Sequence, residues 1–569
     1  MKLRRLRIER FRGIRSLDWR QIDDCSVLVG PGDSGKSTIL EAIERVLSPR
    51  WNLTFEDTDF WNGDVSEPIK FTAYLTSPPE AFLSELKFGL CLMAYDEDSG
   101  DVASLQGDEE ADRIALVVEL EVGEALEPTW NVIGEGGAKR AISAGDREQL
   151  GMLRLRDYVD QHLGWARGSL LTKMTDRKAT VSALLAKAAR QAKGGLDTAE
   201  LDDFSAAASQ VQEAAAKLGV ASKEGLRPHL DVGSLNAAAG ALTLHDGEIP
   251  LRRSGLGTRR LMAVAVQQSV TEAGGLTLVD EFENGLEPYR IRQLLRALRS
   301  KVRAEASSQL MLTTHSPVVI SEAPASEVAV VRMDANGSVT VAYAADAVRY
   351  INKKYPEALL SRRVLVAEGL TEYAFCRRLD EEWEEQDGES FAYAGTAVVD
   401  GGGSSKPATL CGHLRDLGYE VALFADSDKP AKLTRAKDST LLLWEGKVCT
   451  EERIAQDLPD DGLVELLDLA LEHRDANGRR ILLAEAVGVE RSELKDLEPR
   501  EWLDRVDTAR LRDAIGACAK AGKGKGGSWF KDEQGGTSLA SLVLRHWSGL
   551  EGTLTRANLE ALRAFVKVE

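Results

Sequence analysis

Three things are scarce or missing in this chain of 569 residues. Cysteine is the first: the six (Cys25, Cys91, Cys376, Cys411, Cys449, Cys518) lie far apart with no CxxC pair. That spacing fits the reduced thiols of a cytoplasmic protein and speaks against a disulfide framework or a zinc module. No apolar run approaches the length of a membrane span, and Met1-Lys2-Leu3-Arg4-Arg5 leads into a strand pattern, not a signal peptide. An excess of positive charge is missing too: 72 Lys and Arg against 91 Asp and Glu leave a net charge of −19. That balance argues against a surface coated in basic nucleic-acid contacts. It does not exclude a local basic groove, because contact is made by patches and not by the mean. The remainder, 43% hydrophobic and 29% charged, is ordinary for a soluble protein, and the length calls for about two to four domains.

What is present is organised around Gly30-Pro31-Gly32-Asp33-Ser34-Gly35-Lys36-Ser37-Thr38, which meets the phosphate-loop pattern GxxxxGK(S/T) at every fixed position. Cys25–Val29 before it reads as a short buried strand, and Ile39–Leu47 after it has helical apolar spacing that stops at Ser48-Pro49. Glycines let backbone N–H groups curl around phosphate oxygens, and the helix N-terminus adds partial positive charge. Lys36 then reaches the outer phosphates and the Ser37 hydroxyl ligates magnesium. Together strand, loop and helix predict a nucleoside-triphosphate site.

Leu3 to Trp19 alternates apolar and basic residues, the period of a half-exposed strand pair, and residues 69–76 and 114–122 read as further strands. From about Met152 to Leu218 the text turns rich in Ala, Lys, Gln and Glu, interrupted by Gly194-Gly195, which predicts an inserted helical segment. Such a segment is either a solvated helical hairpin or a dimerisation arm. Leu251–Leu261 then places Ser254-Gly255 at a helix N-terminus. Leu276-Thr277-Leu278-Val279 ends in Asp280-Glu281, delivering one carboxylate to magnesium and a second to the attacking water. Met311–Thr314 is a further strand ending at His315, which can sense the γ-phosphate.

The ordered set Lys36, Ser254-Gly255, Asp280-Glu281 and Thr314-His315-Ser316-Pro317 resembles the ATP-binding-cassette head shared by SMC-type and DNA-repair ATPases. That resemblance implies a nucleotide sandwiched between two heads, with Ser254 and Gly255 acting from a second copy. Glu283–Pro288 resembles the segment after the catalytic glutamate, with Glu287 where the family usually has His. SMC heads are separated by hundreds of coiled-coil residues, and the insert here is far shorter.

Beyond a linker expected around Ala344–Pro356, apolar strands recur, each ending in acid or glycine: Arg363–Ala367 before Glu368-Gly369, Thr396–Val399 before Asp400, and Val421–Ala425 before Asp426-Ser427-Asp428. Ser439–Trp444 is a fourth, with helical text between. This predicts an α/β domain with a mainly parallel sheet and its acids gathered at the carboxyl edge. Like charges so placed raise one another's pKa, and divalent cations relieve this. Two magnesium ions ~4 Å apart activate a water and stabilise the leaving oxygen of a phosphodiester.

The Glu-Gly-x-Thr-Glu and Asp-x-Asp pattern resembles the toprim domain of topoisomerases, primases and certain nucleases. A cassette ATPase followed by toprim resembles the OLD (overcoming lysogenization defect) family, which includes the nuclease subunit of the Gabija anti-phage system. The resemblance implies a metal set of Glu368, Glu372, Asp400, Asp426, Asp428 and Glu451, with Glu452 an almost equal fit for the last. It makes Glu368, Asp426 and Asp428 catalytic, and brings Lys531 of Trp529-Phe530-Lys531 to the scissile phosphate. In the head it assigns ATP to Gly30, Gly32, Asp33, Ser34, Gly35, Lys36, Ser37, Thr38, Ser254, Gly255, Asp280 and His315, catalysis to Glu281, and magnesium to Ser37 and Asp280. The Gly/Lys loop Lys520–Ser528, with Lys523 and Lys525, either touches DNA backbone or is a solvated turn.

The expected architecture is therefore α/β: a head with an N-terminal lobe (1–150), a helical insert (151–235) and a C-terminal lobe (236–345), then a toprim domain with a helical C-terminal part (360–569). The expected function is a metal-dependent DNA endonuclease, using Mg2+ or Mn2+, coupled to or gated by ATP. Partners would be DNA, further copies of the chain and a helicase-like protein. The alternative is a DNA-clamping ATPase that does not cut. A topoisomerase would need a tyrosine-bearing DNA-binding domain, and a primase zinc ligands or a polymerase core; neither is visible.

Overall fold

The computed structural model describes residues 1–105, 113–155, 202–230, 242–270, 275–403, 406–427, 438–472, 476–490, 497–521 and 528–567, with a few single positions between them. The described chain divides into two compact units, Met1–Tyr343 and Ala344–Glu569. Among the described residues no helix is long and apolar enough to cross a membrane, and all six cysteines are buried and unpaired.

The first unit is built on a 14-stranded sheet. Five neighbouring strands, Met152–Leu155, Leu276–Val279, Gln309–Thr313, Cys25–Val29 and Val328–Met333, are parallel. Parallel strands are covered on both faces, and Cys25–Val29 and Gln309–Thr313 are buried at every position. The other half is antiparallel: Lys2–Phe11 lies between Ile14–Trp19 and Ile69–Thr76, and Ile114–Val122 follows. The alternation read near the N-terminus is this hairpin, with Leu6, Ile8, Phe11 and Ile14 fully buried. The helix Lys36–Leu47 packs Ile39, Leu40, Ile43 and Val46 inward.

The helical text expected from Met152 opens instead with a strand. Met152–Leu155 pairs in register with Leu276–Val279 and closes the parallel edge. Four residues carry too little periodicity to declare themselves. Within the insert, Asp202–Lys217 is a helix, followed by a three-stranded sheet of Leu226–Leu230, Leu242–Asp246 and Ile249–Pro250. Most of the remaining insert, Gly194-Gly195 included, lies outside the described residues.

The second unit carries a four-stranded sheet in the order Thr396–Asp400, Arg363–Ala367, Glu420–Ala425, Thr440–Leu443, parallel throughout. The helix Leu370–Asp387 starts where Glu372 reaches back to the Gly369 N–H (3.2 Å) and stops at left-handed Gly388. Against it lies Glu533–Arg545, so closely at Gly536 that a Cβ there would collide with the Thr371 carbonyl. The stretch expected as a linker is folded into this unit: a helix Arg349–Lys354 and a 3₁₀ turn Pro356–Leu360 bury Ile351, Asn352, Ala358 and Leu359 completely. Elements of five or six residues are again too short for a period to show.

Candidate nucleotide and metal sites

The loop before Lys36–Leu47 has the backbone the glycines predict. Gly30 and Gly35 hold φ of 139° and 89°, and Asp33 sits at φ 59°. A Cβ on Gly30 would strike the Val331 carbonyl. No side chain caps the helix, so its first N–H groups are left for an anion. Lys36 is buried, its ammonium donating to the Gly30 carbonyl (3.1 Å), the Pro31 carbonyl (2.7 Å) and Ser34 Oγ (3.2 Å). Burial pushes its pKa down to about 8, against the pull of Asp33, Asp280 and Glu283. Hydrogen bonds to neutral oxygens satisfy its protons without neutralising its charge, which a phosphate would do.

Asp280, directly after Leu276–Val279, accepts from Ser37 Oγ (2.9 Å) and Thr313 Oγ1 (2.7 Å) at one oxygen and from Arg154 Nη2 (2.9 Å) at the other. Burial opposes its ionisation, but these donors outweigh burial and its pKa is lowered. Arg154 also binds Glu44 (2.7 Å) from the half-buried edge strand Met152–Leu155. Sequence reasoning missed it, because an isolated Arg in helix-like text carries no signal. Glu281 is exposed at φ 44°, a conformation non-glycine residues seldom adopt, with its N–H held by Thr313 Oγ1 (2.9 Å). His315 is exposed, its backbone N–H fixed by Glu283 Oε1 (2.6 Å). Ser37 and Asp280 thus meet within one unit, while Ser254 and Gly255 sit just before the helix Leu256–Val270. That helix is pinned to the segment after Asp280 by buried Arg260, which donates to the Asp280 (2.5 Å) and Asn284 (3.1 Å) carbonyls.

In the second unit the strand ends bring acids together. Glu368 Oε2 accepts from the Asp426 N–H (2.9 Å) across neighbouring strands. Glu372, one turn into Leu370–Asp387, and Asp426 converge on Thr450, whose hydroxyl lies 2.9 Å from Glu372 Oε1 and 3.1 Å from Asp426 Oδ1. The same hydroxyl accepts from Trp444 Nε1 (2.9 Å), so its single proton serves two carboxylates. Burial first, then, against the pull of Lys531, repulsion from Glu451 on both and from Glu372 on Asp426, raises Glu372 to about 7 and Asp426 to about 8.

Glu451 is fully buried in the helix Thr450–Asp457 and faces Lys531. Lys531 Nζ lies 2.9 Å from both its oxygens but hydrogen-bonds to Oε2 alone, leaving buried Oε1 without a donor. Burial works against the Lys531 ammonium, yet Glu451, Asp426 and Glu372 outweigh it and raise its pKa. The adjacent Glu452 turns away, capping its helix at the Cys449 N–H (3.3 Å) and pairing with Lys520. The structure thereby separates two glutamates the sequence left almost equal. Lys531 is delivered by a tight turn, with Ser528 and Phe530 both at φ 58° and the Phe530 carbonyl held by Thr371 Oγ1 (2.9 Å).

Asp400 ends the edge strand, but its carboxylate is engaged by Lys354 (3.3 Å), Tyr350 Oη (3.1 Å) and the Gly402 N–H (2.9 Å). Asp428, Lys523 and Lys525 lie outside the described residues. Among the described residues no three His, Cys, Asp or Glu side chains already surround one point. The donor set nevertheless fits a divalent cation: hard carboxylate oxygens gathered in a buried cluster, one of them, Glu451 Oε1, without a donor. Thr450, Arg154 and the Lys354–Asp400 contact were not visible in the sequence.

Comparison with known proteins follows this division. Residues 1–85 match the family model of an AAA ATPase domain, and residues 109–321 match one described as an "AAA domain" of a "Type IV TA system". Residues 359–428 match the toprim domain of overcoming-lysogenization-defect-like proteins. Over 466 residues the chain is 22% identical to the OLD nuclease of Thermus scotoductus, spanning 75% of this chain and 82% of that protein. Two solved SMC head domains each overlap 60% of this chain: one bound to the C-terminal winged-helix domain of ScpA (16% identity, 97% of that chain, TM-score 0.37), and one with an extended coiled coil bound to the C-terminal domain of ScpA derived from Pyrococcus furiosus (15%, 95%, 0.38).

An ATPase head with its phosphate loop, followed by a toprim domain with its strand-end acids, is the class these features define. Within it, the chain is similar to the OLD family, through the toprim match over 359–428 and the OLD nuclease above.

Proposed function

We propose that the chain is a metal-dependent DNA endonuclease whose cutting is gated by, or coupled to, ATP in its head. The observation that carries this reading is the meeting of Glu368, Glu372, Asp426 and Glu451 with Lys531 at one sheet edge. A protein that only clamps DNA needs no such cluster. The nuclease named among its relatives supports the same reading.

Glu368, Glu372, Asp426, Glu451 and Asp428 would hold Mg2+ or Mn2+, with Asp400 joining once its lysine is displaced. A metal held by these residues would supply an ionised water and shield the charge of the leaving oxygen. Thr450 orients the carboxylates of Glu372 and Asp426. Lys531, its pKa raised, stays charged and stabilises the pentacovalent phosphate. In the head, Lys36, Ser37 and Asp280 bind Mg-ATP, Glu281 positions the attacking water, and His315 reads the γ-phosphate. Ser254 and Gly255 would complete the site from a second copy, making the working form a homodimer or larger. A helicase-like partner and a role in anti-phage defence complete the proposal.

The test is plasmid nicking with Mg2+ or Mn2+, with and without ATP, on wild type, Asp426→Ala and Lys36→Ala. Nicking by wild type should vanish in Asp426→Ala while ATP binding persists, and Lys36→Ala should lose nucleotide binding with the metal site intact. Cutting retained by Asp426→Ala would refute the site.

A further inference from the structure

A cluster of carboxylates repels the polyanion it is meant to cut, so DNA must be drawn to the edge by cations nearby. Lys531 is one, inside the cluster. Outside it, the chain from Arg349 to Arg363 holds five cations (Arg349, Lys353, Lys354, Arg362, Arg363) against one acid, Glu357, in a protein of net charge −19. The helix Arg349–Lys354 sets three of them, Arg349, Lys353 and Lys354, on its exposed side. Val348, Ile351, Asn352 and Tyr355 are buried, while Arg349, Tyr350, Lys353 and Lys354 are exposed. Four-residue spacing stacks Arg349 with Lys353 and Tyr350 with Lys354.

This helix stands at the catalytic edge. Its Lys354 and Tyr350 bind Asp400, which ends the strand paired with the one leading to Glu368. Asp426 is one strand further on, so Asp400, which the helix holds, is about 10 Å from Asp426 along the edge, at ~4.8 Å per strand. That is roughly three nucleotides of a DNA strand at 3.4 Å each. Tyr350 packs on buried Tyr355 (6.0 Å), and Tyr355 on Tyr373 (5.5 Å), which follows Glu372 in sequence. Tyr350 keeps 42% of its surface exposed. Cations beside an accessible ring, here Tyr350, are how backbone-tracking surfaces hold single strands.

We propose that the outer face of Arg349–Lys354 docks the DNA strand flanking the cleaved phosphate. Arg349 and Lys353 contact its backbone, and Tyr350 stacks on an unpaired base. This rests on the nuclease reading above and names the substrate contact for that site.

The test measures binding, not cutting. Full-length protein carrying Asp426→Ala is titrated into fluorescent single-stranded and duplex oligonucleotides with Mg2+ at 50–200 mM salt. Adding Arg349→Ala with Lys353→Ala should weaken binding about tenfold at 100 mM and reduce the log–log salt slope by about two. The charge-preserving pair Arg349→Lys with Lys353→Arg should restore both, which a folding defect would not allow. Tyr350→Ala should weaken single-strand binding about fivefold or more and duplex binding less. An unchanged affinity and slope in the double variant would overturn the proposal, as would a loss seen with RNA but not DNA. Wild type that binds DNA through this helix yet never cuts would instead sink the nuclease reading and leave the surface standing.

Discussion

Replacing Asp426 by Asn should stabilise the metal-free protein, even as it destroys the site. The argument is one of linkage. Asp426 moves from 3.8 to about 8, and Glu372 from 4.5 to about 7, because burial and neighbouring carboxylates disfavour their ionised forms. Between those values the folded protein holds protons the unfolded chain has released, so stability falls as pH rises through about 4 to 8 and levels off above. Lys531 is already charged in both states below its unfolded pKa, so it adds no slope there. For Asp426 alone the displacement amounts to about 6 kcal/mol at ~1.4 kcal/mol per pH unit. Glu372 and Asp426 titrate as a pair and share a proton donor in Thr450, so the amide relieves only part of this, on the order of 3 kcal/mol. In a unit of this size that is roughly 6–12 °C in Tm. Thermal unfolding in EDTA at pH 6 and pH 9 reads it out. Wild type should melt lower at pH 9, Asp426→Asn should lose most of that slope, and Mg2+ should raise wild type more than the variant. A variant no more stable than wild type at pH 9 would refute the reasoning.

Two further outcomes follow from contacts in each unit. Arg154→Met should destabilise the first unit by about 2–4 kcal/mol, since Glu44 and Asp280 lose a buried partner, and Mg-ATP should recover part of the loss by neutralising Asp280; melting with and without Mg-nucleotide checks both. Gly536→Ala should cost about 2–3 kcal/mol by driving a methyl into the Thr371 carbonyl, and, by shifting the turn that carries Lys531, should lower kcat of cleavage more than DNA affinity.

How much was legible beforehand depended on whether chemistry lay within one short window. The phosphate loop, Asp280-Glu281, and the strands before Glu368 and Asp426 did, because strand, turn and functional group are consecutive there. Glu372 announced itself only through a motif, and the structure shows it also caps its own helix. Arg154, Thr450 and Lys354 act across the fold, bridging residues 126, 24 and 46 positions away. No local pattern encodes such distances. Met152–Leu155 and Arg349–Lys354 were misread for a simpler reason: four and six residues complete too few periods to tell strand, helix and linker apart.

The hydrogen bond from Trp444 to Thr450 has an optical consequence. Trp444 is fully buried, 5.3 Å from the ring of Phe424, and its indole N–H ends on the hydroxyl that arbitrates between Glu372 and Asp426. Indole emission responds to the field along that N–H. A cation held by the acid cluster should therefore shift the emission of a chromophore the chain already possesses, and titrating unlabelled protein with Mg2+ would read that shift.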